Sequence, residues 1–184
     1  PLLYRGIVEE HEQTRSSGSI FDVSHMGRMH FSGKDALKFL DRVVPAILEG
    51  TTEVKPDGDN LAKFLVINGD LRRKNAEKIA SFAKQTSPEL LWRGIVFHAF
   101  KNNAVESAFA DHRTYIYEGK EVDQQVHLGF DLASYAGTPI VSANRGKVLF
   151  AEELGIYGNC VIVDHGRGLQ SLYAHLSSID VKAG

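Results

Sequence analysis

Apolar residues recur at two different spacings along the chain, which predicts a first part with helices and a second part made of strands. Ser32-Gly33-Lys34-Asp35 has the spacing of a helix cap, and apolar residues follow it at helical intervals up to Val44. A second helix is predicted to begin at Asp70 and to end before Ser87-Pro88. The apolar residues expected on its inward face are Leu71, Ile79, Phe82 and Ala83.

The pattern changes from about Leu90 onward, where short apolar runs alternate with turn signals such as Glu118-Gly119-Lys120. The runs have the length of strands and are rich in β-branched and aromatic residues, for example at 147 to 151 and 160 to 163. Regular short spacing of this kind is typical of an antiparallel sheet or a β-sandwich. The sequence therefore predicts an α+β fold, with a short N-terminal strand and helix segment, then a helix and an antiparallel β domain.

Composition excludes several classes of protein. Of the 184 residues, 43% are hydrophobic, which is enough for a packed core and argues against disorder. A net charge of −2 argues against a nucleic-acid partner. No apolar run reaches the length of a membrane span, and the N-terminus lacks the pattern of a secretory signal. Eight histidines and one cysteine favour imidazole and carboxylate over thiolate as metal ligands.

The segment from Val126 to Ala133 carries the candidate chemistry. If it is a strand, His127 and Asp131 project to the same face, because side chains four residues apart share a face. An imidazole nitrogen and a carboxylate oxygen are two of the three protein ligands that a catalytic zinc needs. His175 lies in a later strand-like segment, from which it could approach such a metal.

The other histidines and the cysteine have plainer interpretations. His165 stands beside Gly166 in a predicted hairpin turn, and we favour a turn residue over a ligand. His98 and His112 lie outside the motif, but either is an alternative third ligand. Cys160 precedes three apolar residues and is interpreted as a buried core thiol rather than a nucleophile.

Residues from about 4 to 44 resemble the start of the glycine-cleavage T-protein (aminomethyltransferase) family. The resemblance depends on Phe21-Asp22-Val23-Ser24-His25-Met26-Gly27 and on the segment from Ser32 to Leu40. That family works on tetrahydrofolate, and Met26 matches a position near its folate pocket. The catalytic carboxylate of the family lies beyond the matched segment, so the resemblance implies a fragment.

Residues from about 46 to 184 resemble the lysostaphin-type (LytM-like) zinc metallopeptidases, which cut peptide cross-links in the bacterial cell wall. The matching pieces are His127-Leu128-Gly129-Phe130-Asp131, Gly137-Thr138-Pro139, Gly155-Ile156-Tyr157-Gly158-Asn159 and Tyr173-Ala174-His175-Leu176-Ser177. The resemblance implies zinc as cofactor, with His127 and Asp131 as metal ligands and His175 as a catalytic residue. The third ligand of the family comes from a His-x-His element, which does not occur before Gly184.

The two resemblances predict a T-protein-like fragment at 1–45, a linker and helical lead-in at 46–104, and a truncated metallopeptidase β domain at 105–184. The junction is expected between Val43 and Glu49. The β domain should be an incomplete antiparallel sheet of the lysostaphin-like (duplicated hybrid motif) type. Its open edge is a predicted site of self-association, since unpaired strand groups recruit partners.

The function that this combination predicts is a zinc metallopeptidase related to peptidoglycan (murein) endopeptidases, with little or no activity because one ligand is missing. The alternatives are a non-catalytic cell-wall-binding or regulatory module and, less favoured, a folate-dependent aminomethyltransferase fragment. The expected partners are the peptide cross-links of peptidoglycan. The peptidase resemblance favours the periplasm or cell envelope as the location.

Overall fold

The computed structural model describes residues 28–31, 44–49, 51–94 and 96–184. Most predictions for the T-protein-like fragment, including the helix before Val44 and Met26 near a folate pocket, lie outside the described residues. Within the described ranges the strands are, in chain order, β1 (Arg28–Phe31), β2 (Ala104–Ser107), β3 (His112–Tyr117), β4 (Lys120–Val126), β5 (Asp131–Ala133), β6 (Lys147–Glu153), β7 (Asn159–Gly166) and β8 (Leu169–Leu176).

The chain divides into two compact units. One holds Pro1–Ala36 and Val105–Asp131, and the other holds Leu37–Ala104 and Leu132–Gly184. Strands β2 and β5 form a two-stranded sheet. The mixed α+β character that the sequence predicts is confirmed, because a long helical segment accompanies several small sheets.

The first unit contains a three-stranded sheet with the order β1-β3-β4. Strands β3 and β4 are antiparallel and joined by a tight turn at Glu118 and Gly119, both with positive φ, as a two-residue hairpin turn requires. The β3-β4 pair is antiparallel as the turn spacing predicts, whereas β1, from outside the region of regular turn spacing, pairs with β3 in parallel. Parallel neighbours come from distant parts of the chain, which local turn signals do not reveal.

The helical segment of the second unit begins ten residues earlier than predicted. It consists of α1 (Asn60–Val66), a π-helical turn at Ile67–Leu71, α2 (Arg72–Phe82) and a final 3₁₀ turn at Ala83–Gln85. The cap is Asp59, whose side chain accepts a hydrogen bond from the Ala62 amide at 2.8 Å. Asp70 therefore lies inside the helix and does not cap it. Part of the predicted linker is also helical, at residues 44–49.

The core of the second unit lies between α2 and the antiparallel sheet β6-β7-β8. Its members are Phe82, Phe150, Leu154, Cys160 and Ile162, with Ile79, Leu149 and Tyr157 packed against them. Leu71 and Phe82 face inward as predicted, but Ala83 is exposed because the helix tightens into its 3₁₀ turn there. Among the described ranges, no helix combines the length and apolarity that a membrane span needs.

The interpretation of Cys160 as a buried core thiol is confirmed. The side chain is 0% exposed and belongs to the core of the second unit. Burial raises the pKa of Cys160 to about 11, which keeps the thiol protonated at neutral pH. Because the thiolate is the nucleophilic form, this residue is inert in the folded protein.

Asp164 on β7 anchors residues 86 and 87, which follow the helical segment, to the sheet. Its carboxylate is 1% exposed and accepts hydrogen bonds from the Thr86 hydroxyl at 2.8 Å and from the amides of Ser87 and Gly166 at 2.7 Å and 3.0 Å. Burial by itself raises the pKa of Asp164, but these hydrogen bonds outweigh burial, and the pKa of the carboxyl lies below its ordinary value. The carboxylate therefore stabilises the fold in its charged form.

This depressed pKa predicts an acid-sensitive contribution to stability. Because the pKa of Asp164 is lower folded than unfolded, its contribution is present at neutral pH and is lost as pH falls below about 4. We expect Asp164→Asn to cost about 1 to 3 kcal/mol of unfolding free energy at pH 7 and clearly less at pH 3, measured by urea denaturation. The exposed Asp180→Asn is the control. An equal cost for Asp164→Asn at both pH values would contradict this assignment.

Candidate functional site

His127 and Asp131 meet in the first unit, although not in the way that the sequence pattern suggests. His127 Nε2 lies 3.2 Å from Asp131 Oδ1, and the two side chains are 15% and 14% exposed. The predicted single strand is wrong, because β4 ends at Val126 and β5 begins at Asp131. On one straight strand the Cα atoms of these residues would be about 13 Å apart. A bend at Gly129 brings the two side chains together.

Hydrogen bonds of the His127 ring indicate which nitrogen is free to bind a cation. His127 Nδ1 lies 3.0 Å from the carbonyl oxygen of Ala108. A carbonyl oxygen can only accept, so Nδ1 carries a hydrogen, and the Ser107 hydroxyl lies 3.1 Å from the same nitrogen. In the neutral ring, Nε2 then presents its lone pair to the carboxylate of Asp131. Two acceptors this close are stabilised by a proton or a metal cation between them.

Two backbone hydrogen bonds hold His127 to the loop at residues 110 and 111. The Ala110 amide donates to the His127 carbonyl at 2.8 Å, and the His127 amide donates to the Asp111 carbonyl at 2.9 Å. Ala110 adopts a positive φ of 64°, which forms the tight turn that presents the Ala108 carbonyl to the imidazole. The position and the tautomer of His127 are therefore fixed by the same short loop.

Three polar residues that the sequence reading did not single out complete this cluster. Arg113 on β3 contacts Asp131 Oδ2 at 3.2 Å and Ser107 Oγ at 2.9 Å through Nη2, and Asp111 Oδ2 at 3.5 Å through Nε. The strand alternation was the available signal, since Arg113 is in phase with the fully buried Tyr115. The polar composition of Asp111-His112-Arg113 is instead typical of a surface turn and hides this role.

The geometry of the pair fits two ligands of one zinc ion. Two donor atoms at about 2.1 Å from a tetrahedral metal are about 3.4 Å apart, close to the observed 3.2 Å between Nε2 and Oδ1. Nδ1–H bound to a backbone carbonyl is the usual support of a ligating histidine. Within the described part of the chain, no group of three or more His, Cys, Asp or Glu side chains is placed to hold a metal ion.

The alternative third ligands do not join this pair. His112 lies on β3 with its side chain exposed, on the face opposite to Arg113. His98 is an exposed residue of the second unit, where its amide donates to the Ala143 carbonyl at 2.8 Å.

His175 stands in the second unit at an irregular position of β8. Strand β8 has one extra residue here, because Ala174 and His175 together oppose Cys160 between the pairs Val161↔Tyr173 and Asn159↔Leu176. The side chain of His175 is exposed, and its φ is +57°, which is uncommon for a residue other than glycine. Bulges of this kind redirect a side chain and are frequent beside active sites. The bulge therefore takes His175 out of the regular alternation of side chains along β8.

His165 is a buried network residue, and its interpretation as a turn residue is wrong. It lies in β7 with 0% exposure, and the turn is formed by the residues that follow. Its Nδ1–H donates to the Arg145 carbonyl at 2.9 Å, and Nε2 lies 2.8 Å from Ser171 Oγ. The Ser171 hydroxyl lies 2.9 Å from the Tyr173 hydroxyl, which accepts from the Ala143 amide at 2.7 Å. Both ring nitrogens are occupied, so this histidine serves the packing of β7 and β8.

Comparisons with known families divide the chain in the same two parts as the motifs. Residues 125–184 match Peptidase family M23, and residues 1–54 match the GCVT N-terminal domain. Residues 125–184 include His127, Asp131 and His175. Peptidases of family M23 are zinc-dependent and act on peptidoglycan.

Individual relatives agree with this division. The chain is 38% identical over 60 residues to the DD-carboxypeptidase/endopeptidase Mpg of Neisseria meningitidis, covering 33% of this chain and 14% of that protein. It is 52% identical over 64 residues to an aminomethyltransferase of Desulfitobacterium hafniense, covering 35% of this chain and 16% of that protein. A probable aminomethyltransferase of Pyrococcus abyssi is 56% identical over 43 residues, which is 23% of this chain and 11% of that protein. The chain thus spans less than a fifth of each of these relatives.

Proposed function

We propose that residues 125–184 belong to a zinc-dependent endopeptidase that acts on the peptide cross-links of the bacterial cell wall. In this proposal His127 and Asp131 are the metal ligands, and His175 is the catalytic residue. The observation that carries the proposal is the 3.2 Å approach of His127 Nε2 to Asp131 Oδ1, with Nδ1 bound to the Ala108 carbonyl. The match to Peptidase family M23 over the same residues supports it.

Each residue has a defined task in this proposal. When bound, zinc would supply Lewis-acid polarisation of the scissile carbonyl and activation of a water molecule. His127 would hold zinc through Nε2, since Nδ1–H is held by the Ala108 carbonyl, and Asp131 would hold it through Oδ1, since Oδ2 faces Arg113. The exposed imidazole of His175 would act as the acid/base or as the oxyanion partner of the reaction.

The domain limits of the sequence analysis are retained as part of the proposal. The lysostaphin-like β domain at 105–184 contains the whole segment that matches Peptidase family M23. The antiparallel sheet β6-β7-β8 would be its central sheet. The match to the GCVT N-terminal domain ends at residue 54, nine residues beyond the boundary proposed at 45.

The experiment is hydrolysis of purified peptidoglycan by the full chain, with released fragments measured by mass spectrometry. Two protein ligands hold zinc weakly, so we expect slow release that depends on added zinc and disappears in His127→Ala. The control His112→Ala should behave as wild type, because its ring is exposed on the other face of β3. Hydrolysis that persists in excess chelator, or a full chain that binds no zinc, would contradict the proposal. Binding of wall peptides without hydrolysis would favour a non-catalytic wall-binding module.

A second candidate, folate-dependent aminomethyl transfer, is carried by the match of residues 1–54 to the GCVT N-terminal domain. Most of this segment lies outside the described residues. Titration of the full chain with tetrahydrofolate tests it directly. Saturable binding would favour the second candidate, and no binding would contradict it.

A further inference from the structure

Arg113 is a buried charged residue that the ligand pair does not by itself require. It lies on β3, and its side chain is 7% exposed. A buried guanidinium is costly unless its hydrogen-bond donors and its charge are matched. The residues that accept these hydrogen bonds and balance this charge indicate the role of Arg113.

Two of its three contacts lead directly to the ligand pair. Nη2 lies 3.2 Å from Asp131 Oδ2 and 2.9 Å from Ser107 Oγ, and Ser107 also contacts the Nδ1 side of His127. With Oδ2 of Asp131 occupied by the guanidinium, the other oxygen, Oδ1, is the one that faces His127 Nε2. The planar guanidinium therefore fixes the rotation of the carboxylate.

The charges of the cluster favour a cation beside the pair. Arg113 contacts both Asp111 and Asp131, so one guanidinium faces two carboxylates. These three side chains together carry one net negative charge in a partly buried place. A divalent cation at His127 Nε2 and Asp131 Oδ1 would be attracted by this charge and kept apart from the arginine by the carboxylate.

We propose that Arg113 is the positioning residue of the zinc site: it holds Asp131 by Oδ2, so that Oδ1 and His127 Nε2 converge on one metal ion. The inference rests on the proposed function, because it assigns a task toward the same ligands. Arg113 does not touch the metal or the substrate.

The test is zinc affinity of the full chain, measured by competition with a chromophoric chelator, together with the visible spectrum of the cobalt(II) form. We expect Arg113→Met to bind zinc about 10- to 100-fold more weakly, the usual cost of losing a residue that orients a ligand. Arg113→Lys keeps the charge but not the planar fork, so it should lose about tenfold. Both should change the cobalt(II) bands, because one ligand becomes misoriented.

Arg73→Met is the matched control. Arg73 also pairs with two carboxylates, those of Asp70 and Glu77, but on the surface of the helix, so its zinc affinity should equal wild type. Should Arg113→Met fail to fold by circular dichroism, Arg113→Lys decides, since it preserves the buried charge. Folded Arg113 variants with wild-type zinc affinity and wild-type cobalt(II) bands would overturn the role of Arg113 alone. A wild-type chain without saturable zinc binding would overturn the proposed function and this inference together.

Discussion

Replacement of His127 by alanine is expected to weaken zinc binding roughly 100-fold or more, because it removes one of the two proposed protein ligands. Each of the two residues supplies one donor atom, so neither can replace the other. Asp131 alone would remain, with Oδ2 facing Arg113. Asp131→Asn should have an effect of similar size, because a neutral amide replaces the charged ligand. Isothermal titration of the full chain with zinc measures both losses.

The control for this prediction is His112→Ala. His112 belongs to the same unit but is exposed at the start of β3, and its loss should leave zinc affinity within twofold of wild type. Equal losses in His112→Ala and His127→Ala would indicate unspecific surface binding by histidines. Retention of wild-type affinity in His127→Ala would remove His127 from the metal site.

Replacement of Gly166 by alanine is expected to destabilise the second unit severely, by about 3 kcal/mol or more. Gly166 ends β7 with φ +88°, and an added Cβ would collide with the carbonyl oxygen of Glu89 and lie 3.1 Å from the Leu91 amide nitrogen. Those atoms are backbone and cannot move aside, since the Leu91 amide donates to the His165 carbonyl at 2.9 Å. The estimate combines backbone strain with overpacking.

Gly168→Ala separates these two effects. Gly168 has a similar φ of +83°, but no atom lies within 4 Å of the position of an added Cβ. Gly168→Ala should lower the unfolding free energy by only about 1 kcal/mol, because a residue with a side chain is strained in the left-handed conformation. Urea denaturation of both variants gives the comparison. Equal losses of unfolding free energy in Gly166→Ala and Gly168→Ala would show that the close approach of the Glu89 backbone to Gly166 is unimportant.

The sequence predicted by an incorrect route that His127 and Asp131 lie together. Side chains four residues apart on a regular strand share a face, but they are too far apart to touch. Their contact requires the bend at Gly129. A period-two pattern cannot predict such a bend, because the pattern is the same in a straight and in a bent segment.

In residues 127 to 131 the apolar side chains are exposed and the polar ones are partly buried. Leu128 and Phe130 are 71% and 64% exposed, whereas His127, Gly129 and Asp131 are partly buried. Alternation predicts two faces correctly but assumes that the apolar face is the buried one. Here the buried guanidinium of Arg113 provides a polar partner for the other face, and only the folded contacts of β3 reveal it.

Local sequence signals predicted individual elements better than their limits. The turn at Glu118 and Gly119 and the burial of Cys160 follow from residue type and neighbours. The beginning of the long helix was misplaced because both Asp59 and Asp70 are good caps, and only packing decides between them. The bulge that presents His175 also has no local signal, since it depends on the register of β8 against β7.

The most direct test of the central claim is the ¹⁵N spectrum of the histidine rings of the full chain, recorded without and with zinc. The structure predicts that His127 has a protonated Nδ1 before and after addition, held by the Ala108 carbonyl, and that zinc shifts its Nε2 resonance. The His112 and buried His165 rings should keep their resonances. A zinc-dependent shift at Nδ1 of His127, or no shift at either of its nitrogens, would contradict the claim that His127 and Asp131 are built to share a zinc ion.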